Sequence, residues 1–596
     1  MILSRSRLKV LILSLLLILI LGLPSIADTL SEKVDKLFTD WDKPNSPGCA
    51  LGIIKEGKLI YKRGYGMANL EYNIPISSQS VFRIGSTSKQ FTAMCVLLLE
   101  EQGKLSLDDD IRKYLPEMPE YEKPITIRHL IHHTSGIRDY LTLMELAGER
   151  DDDFYIDGEV IDLLAHQKEL NFNPGDEFLY SNSGYFLLSI IVKKAGGKSL
   201  REFAEENIFK PLAVRSTHFH NDHTMIVKNR AIGYAPVKGN GFRIDTTTLD
   251  MIGDGGIFTT VDDLFLWDQN FYENKLGKRS QDLIKRMLTP GRLNNGEKLD
   301  YAFGLVVSDY KGLKMVSHGG SFVGYRAEMI RFPEQRLSVI CLANLSSINP
   351  SKLAREVADI YLDDQFKKDK KEKMKPSEKP QFIQIPESEL KNKTGAFRDP
   401  KSGSIWKLSL KEGKLWVDTS VYLFSLLPLS RTRFLTVDAP VEMEIEFETR
   451  DKDKPLLIHV KREEEEPSTF EAIRLVSPTQ EQLEEYVGNY YSEELQATYK
   501  VVLEKGNLFL RHSNPHKNYP DKPLEPTLQD MFMVSGIQLK FFRNEQNEVT
   551  SYTVNAGRVK NIRFIKKIRQ DMFPEQANIM FADSPPHFFI PNEMTI

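Results

Sequence analysis

Three stretches in the last third of this 596-residue chain recur at one fixed spacing, and that repeat restricts the fold more than any other feature. Leu390-Lys391-Asn392-Lys393-Thr394-Gly395-Ala396-Phe397 matches Leu483-Glu484-Glu485-Tyr486-Val487-Gly488-Asn489-Tyr490. Ile405-Trp406-Lys407-Leu408-Ser409-Leu410 matches Thr498-Tyr499-Lys500-Val501-Val502-Leu503, and Gly413-Lys414-Leu415-Trp416-Val417 matches Gly506-Asn507-Leu508-Phe509-Leu510. Each pair lies 93 positions apart (Leu390 to Leu483, Ile405 to Thr498, Gly413 to Gly506), so the register never drifts. Apolar residues alternate with polar ones, and turn residues punctuate the pattern about every ten positions, which is the signature of antiparallel strands closing into a barrel or sandwich. Two such all-β units are expected, at 386–475 and 476–570, with their aromatic residues forming cores.

Charge and proline mark the other boundaries. Lys367-Lys368-Asp369-Lys370-Lys371-Glu372-Lys373, followed by Pro376 and Pro380, reads as a solvated linker over 367–385. Glu463 to Pro467 reads as a hairpin loop, and the proline-rich tail at 571–596 is unassigned. At the other end, Arg5, Arg7 and Lys9 precede an apolar run from Val10 to Leu23 and the small-residue site Ser25-Ile26-Ala27. That is the layout of a secretory signal peptide, 1–27, cleaved after Ala27, which predicts a secreted or periplasmic protein. The run is shorter than the ~18 to 20 residues of a spanning helix, and no second apolar span follows, so no stable membrane span is expected after cleavage. Cys49, Cys95 and Cys341 all lie in apolar runs and read as buried, reduced thiols. A net charge of −4 on a chain this long argues against a nucleic-acid partner.

The chemistry lies in the segment 28–366. Phe82-Arg83-Ile84-Gly85 leads into Ser86-Thr87-Ser88-Lys89, and Phe91, Met94, Cys95, Leu98 and Leu99 follow at helical spacing up to Gly103. Three residues apart at the start of a helix, Ser86 and Lys89 share a face. Serine needs a neighbouring base to be a nucleophile, and a desolvated lysine can serve. A serine at that position also profits from the helix dipole. Alone, the pattern is short enough to arise by chance as an N-cap and a surface lysine. A second element, Tyr180-Ser181-Asn182, follows the turn at Pro174-Gly175 and offers a phenol and an amide. A third, His318-Gly319-Gly320-Ser321, reads as a strand whose glycines admit a close backbone or a ligand.

In this order the three elements resemble the penicillin-recognising serine hydrolases: class C β-lactamases, D-Ala-D-Ala peptidases, D-aminopeptidases and related esterases. The resemblance spans roughly residues 30–365 and extends to Leu130-Ile131-His132-His133-Thr134-Ser135-Gly136 and Gly255-Gly256-Ile257-Phe258-Thr259-Thr260. It implies an α/β (α+β) sandwich, an antiparallel sheet flanked by helices, ahead of two barrels similar to the lipocalin-like ones attached to some relatives. It implies Ser86 as nucleophile, Lys89 as its base, Tyr180 as general acid/base and Asn182 as a positioning group. His318, Gly319, Gly320 and Ser321 take the place of the K-T-G strand, with the N–H groups of Ser86 and Ser321 as oxyanion hole.

The departure from that pattern is His318 for lysine. A histidine gives no permanent charge for a substrate carboxylate and would titrate near 6.5 if unperturbed. The expectation is therefore a hydrolase of small D-amino-acid peptides, amides or esters, with carboxylate substrates doing relatively better below the histidine pKa. Arg326 reads as a surface arginine that could replace the missing charge. A penicillin-binding protein or β-lactamase, or a non-catalytic envelope-binding protein, are the alternatives. Adjacent His132 and His133 fit a structural turn better than a metal site, and no phosphate loop, zinc spacing or dinucleotide fingerprint occurs, so no metal or cofactor is expected. A homo-oligomer is left open. The barrels are expected to be separable from the chemistry while governing access to it.

Overall fold

The computed structural model describes residues 26–149, 153–239, 241–366, 382–437, 439, 443–448, 456–462, 467–513 and 522–567. All but the last two residues of the expected signal peptide (1–27), most of the charged linker, most of the 463–467 loop and the C-terminal tail lie outside these residues. Among those described, no helix is long and apolar enough to cross a membrane.

The front domain is built on a six-stranded antiparallel sheet. Its strands are β1 (Cys49–Lys55), β2 (Lys58–Tyr65), β3 (Val306–Tyr310), β4 (Leu313–Phe322), β5 (Tyr325–Phe332) and β6 (Leu337–Ala343), in the order β3-β4-β5-β6-β1-β2. The central strands are apolar on both faces because both are covered. Cys49, Leu51 and Ile53 of β1 and Val339 and Cys341 of β6 pack on one side with α1 (Ile26–Leu37) and α5 (Pro350–Leu362). Ala50, Ile54, Ile340 and Leu342 face the other way, toward α2 (Lys89–Glu101), α3 (Asn182–Gly196) and α4 (Val261–Gln269). A Cβ on Gly52 would stand 2.4 Å from Val261 Cγ1, so glycine lets α4 settle onto the sheet. Cys49, Cys95 and Cys341 are buried free thiols.

Strand β4 has two halves. Ser317 back to Leu313 pairs with β3 on one side and, from Val316 on, with β5 on the other. From His318 onward only β5 is paired, with His318 opposite Met329 and Ser321 opposite Arg326. The second half of β4 therefore turns a strand edge toward α2.

Behind the sheet domain stand two closed eight-stranded antiparallel barrels, over 395–473 and 488–566. Phe397, Trp406, Phe424, Phe434, Phe447 and Phe470 fill the first, and Tyr490, Tyr499, Phe532, Phe541, Tyr552 and Phe564 the second. This is the fold class expected from the repeat and the resemblance. The packing of the second barrel differs from a separable appendage. Its core is continuous with that of the front domain, whereas the first barrel keeps its own. Arg138, fully buried, donates to Glu494 Oε1 at 2.5 Å, Gln167 Oε1 at 3.0 Å and Lys560 O at 2.9 Å, and Tyr499 donates to Leu146 O at 3.0 Å.

Candidate active site

Two glycines bring the serine turn onto the strand edge. Gly85 has φ +49°, and a Cβ there would stand 2.9 Å from Ser321 N. A Cβ on Gly320 would stand 1.9 Å from Ile84 O. Backbone can meet backbone here only without side chains. Thr87 Oγ1 then donates to His318 O at 3.1 Å across the same seam. The close approach shapes the local helix: Ser86 lies in a 3-10 turn, Gly85–Ser88, and α2 starts at Lys89, three residues later than the helical spacing predicts.

Lys89 is completely buried, and its three ammonium protons have three acceptors. Nζ donates to Asp254 O at 2.6 Å, Asn182 Oδ1 at 2.9 Å and Ser86 Oγ at 3.1 Å. It also lies 4.8 Å from the centre of the Tyr180 ring. Asn182 opens α3, and its N–H donates to Asp139 Oδ2 at 2.7 Å; Asp139 Oδ1 also accepts from Thr142 N, capping the helix Tyr140–Leu146. One carboxylate thus holds two helix starts, and one of them carries the lysine's amide partner. The buried phenol oxygen of Tyr180 has no hydrogen-bond partner among the described residues.

Tyr180 is positioned by the His-His-Thr-Ser-Gly turn. The His133 ring packs 4.2 Å from the Tyr180 ring and 4.5 Å from the Tyr301 ring, centre to centre, and its Nδ1 accepts from Ser181 N at 3.2 Å. Burial holds the His133 imidazole well below its usual range, with Lys89 adding to the effect. His133 therefore acts as a neutral wedge in the position read from sequence as a structural turn.

His318 departs from its expected behaviour. Its Nδ1 faces Gly319 O at 2.7 Å and its Nε2 faces the Tyr301 hydroxyl at 3.0 Å, so Nδ1 carries the proton and Nε2 accepts from the phenol. Burial, with Lys89 nearby, pushes its pKa down to about 4. A switch near 6.5 is not what this environment supports, because the buried ring lies beside the Lys89 ammonium. Tyr301 carried no sequence signal. Asp254 was also missed, although it stands in the glycine string Gly253-Asp254-Gly255-Gly256. Its Oδ2 accepts from Tyr140 at 3.2 Å, and burial raises its pKa.

A cavity of about 850 Å³ opens over these groups. Ser86, Tyr180, Asn182, Gly319, Gly320 and Ser321 line it, and so do Tyr422 and Arg558 from the first and second barrels. The geometry sets the Ser86 hydroxyl 3.1 Å from a buried lysine amine at the edge of an open cavity, an arrangement that nucleophilic catalysis can use.

Comparison with known proteins agrees with this arrangement. Residues 32–362 match the Beta-lactamase family. Penicillin-binding protein 4* of Bacillus subtilis is 34% identical over 48% of this chain and 66% of its own length, so the alignment spans just under two thirds of that relative. A D-aminopeptidase of Brucella anthropi is 25% identical over 87% of this chain and 95% of its own. In fold, the octameric penicillin-binding protein homologue from Pyrococcus abyssi is similar, at 24% identity and a TM-score of 0.52, over 74% of this chain and 99% of that one. With its family match covering more than half its length, and with serine, lysine, tyrosine and asparagine gathered at the edge of an antiparallel sheet, this chain belongs to the Beta-lactamase family.

Proposed function

We propose that this protein is a serine hydrolase that cleaves amide or ester bonds of small substrates through an acyl-enzyme. In the reacting form the neutral amine of Lys89 takes the Ser86 proton as Oγ attacks the carbonyl carbon. The negative charge that develops on the carbonyl oxygen rests on the N–H groups of Ser86 and Ser321. Tyr180 passes a proton to the leaving nitrogen or oxygen as the bond breaks, and regains one from Lys89. Water then attacks the acyl ester along the reverse path, giving the acid and restoring Ser86. Asn182 holds the Lys89 amine in line throughout. The observation that carries this reading is the buried Lys89 Nζ, shared between Ser86 Oγ at 3.1 Å and Asn182 Oδ1 at 2.9 Å beneath an open cavity.

The D-aminopeptidase relatives make D-amino-acid amides and short D-peptides the first substrates to try, with small esters beside them. The basic and apolar N-terminal stretch supports export by a cleaved signal peptide. The test is labelling by a fluorophosphonate, followed by turnover of a panel of D- and L-amino-acid amides and short esters. Ser86→Ala is expected to abolish both labelling and turnover while leaving the thermal transition in place. A folded Ser86→Ala protein that still turns over the panel at near the parent rate would overturn the nucleophile assignment.

A further inference from the structure

The cavity over Ser86 is lined by three guanidinium groups, Arg83, Arg326 and Arg558, and by a single acidic side chain, Asp254. Two of the arginines, Arg83 and Arg326, are not spent on carboxylates. Arg83, almost fully buried, sends Nη2 to Leu249 O at 3.3 Å and lies over the Phe322 ring. Arg326 sends Nη1 to Val323 O and Tyr325 O, both at 2.7 Å. Among the described residues neither has a carboxylate oxygen within 4 Å. Asp254 accepts from Tyr140, and burial raises its pKa, so one carboxyl faces three guanidinium groups.

Arg558 is the most exposed of the three, and the best placed. It sits at the hairpin turn between the second-barrel strands Val549–Ala556 and Val559–Lys566. That turn is clamped to the front domain. Arg558 O accepts from Asn171 Nδ2 at 2.9 Å, and Lys560 N donates to Asn171 Oδ1 at 2.8 Å. The guanidinium carbon lies 4.7 Å from the centre of the Tyr180 ring. Its nearest carboxylate oxygen, Asp139 Oδ2, is 3.8 Å away and already accepts from Asn182 N at 2.7 Å. The side chain is 44% exposed, so it can still take a bidentate partner from a ligand. Arg558 also lines a second cavity of about 680 Å³, which shares Leu141, Asn182, Leu249 and Phe322 with the first, and it stands where the two meet.

We infer that the substrate carries a carboxylate and that Arg558, brought in by the second barrel, is its anchor, with Arg326 on the strand side as the supporting cation. This rests on the acyl-transfer reading and supplies the substrate class it lacked. It also moves the fixed positive charge, absent at His318, onto a different element of the chain. An arginine remains charged across the working pH range, so selection for the carboxylate would not fade above pH 6.5.

The experiment uses the full chain and two paired ester series. One carries the charge on the acyl side (4-nitrophenyl hemisuccinate against 4-nitrophenyl butyrate). The other carries it on the leaving group (a 4-carboxyphenyl ester against the phenyl ester). Each pair gives a ratio of kcat/KM, so losses common to both substrates cancel. In at least one series the ratio is expected to favour the carboxylate at pH 8. It should fall about tenfold to a hundredfold in Arg558→Gln, invert in Arg558→Glu and recover in part in Arg558→Lys. The ratio should also shrink as salt is raised. Ratios in both series that are indifferent to all three substitutions, in variants that fluorophosphonate still labels, would overturn the anchor and leave the hydrolase standing. Parent protein that neither labels at Ser86 nor turns over any ester would overturn the acyl-transfer reading itself, and the anchor with it.

Discussion

The bond between the second barrel and the front domain gives the sharpest stability prediction, and it turns on Glu494. Its carboxylate faces Arg138, whose side chain has no solvent exposure, and Glu494 itself is only 7% exposed. Glu494→Ala leaves a buried guanidinium without a counter-charge. Removing one partner of a buried pair costs about 3–5 kcal/mol. Arg138 would still donate to Gln167 Oε1, Lys560 O and Asn561 O, which favours the lower end. Lys168 N also loses its acceptor, Glu494 Oε1 at 2.9 Å, for about 1 kcal/mol more. The expected loss is therefore about 4 kcal/mol. Arg138→Met combined with Glu494→Leu removes both charges and is expected to recover more than half of it, because no unpaired charge remains. Calorimetric melting of the parent, Glu494→Ala and the double variant measures the effect. The front domain and second barrel should melt together in the parent, in keeping with their common core. A Glu494→Ala loss below about 0.5 kcal/mol, the range of ordinary surface changes, would refute the reasoning. So would a parent in which the second barrel melts as a transition of its own.

Two further outcomes follow from buried titrating groups. The depressed His318 imidazole stays neutral from pH 5 to 8, so its contribution to stability is complete above 6.5 and is lost as pH falls toward about 4; a step in log kcat/KM near pH 6.5 that disappears in His318→Gln would contradict this. Glu328 behaves in the opposite sense. Burial beneath Gly319 raises its pKa from 4.5 to about 7, so the folded state holds its proton longer and loses stability as pH rises through that window. Glu328→Gln should gain on the parent between pH 4.5 and pH 8 by up to about 3 kcal/mol in urea unfolding; an offset that does not change with pH would count against a buried, protonated carboxyl.

What the sequence made legible was short-ranged or periodic. Ser86 and Lys89 are one turn apart, and the spacing alone makes them neighbours. The fixed 93-residue offset made the two barrels readable because their first three strands repeat nearly in register. Groups whose role depends on distant partners were illegible. The tautomer of His318 depends on the hydroxyl of Tyr301, which arrives from the segment before β3, and its low pKa on burial beside Lys89. The hold on Asn182 depends on Asp139, an unremarkable acid in the sequence. Arg558 lies at a hairpin turn of the second barrel, and nothing local in the sequence announces that the turn reaches the cavity. The later start of α2 has a similar origin: helical spacing is satisfied from Ser86 onward, but the close approach of Gly85 to Ser321 tightens the first turn.

The mouth of the cavity has a consequence for how such a protein can change. Tyr422 and Arg558 both occupy hairpin turns, the first between Lys414–Asp418 and Leu423–Pro428, the second between Val549–Ala556 and Val559–Lys566. Turns absorb substitutions that strands and buried helices reject, because little packing depends on them. If Arg558 anchors the substrate as proposed, selectivity is set at turn positions, while the proposed bond-breaking groups sit on buried elements. A lineage can exchange one substrate for another through drift at a few turn residues, without passing through a misfolded or inactive ancestor. For the engineer, a library confined to residues 419, 421, 422 and 558, which spares the positive-φ Ser420 and Gly557, tests that selectivity on an unaltered catalytic frame.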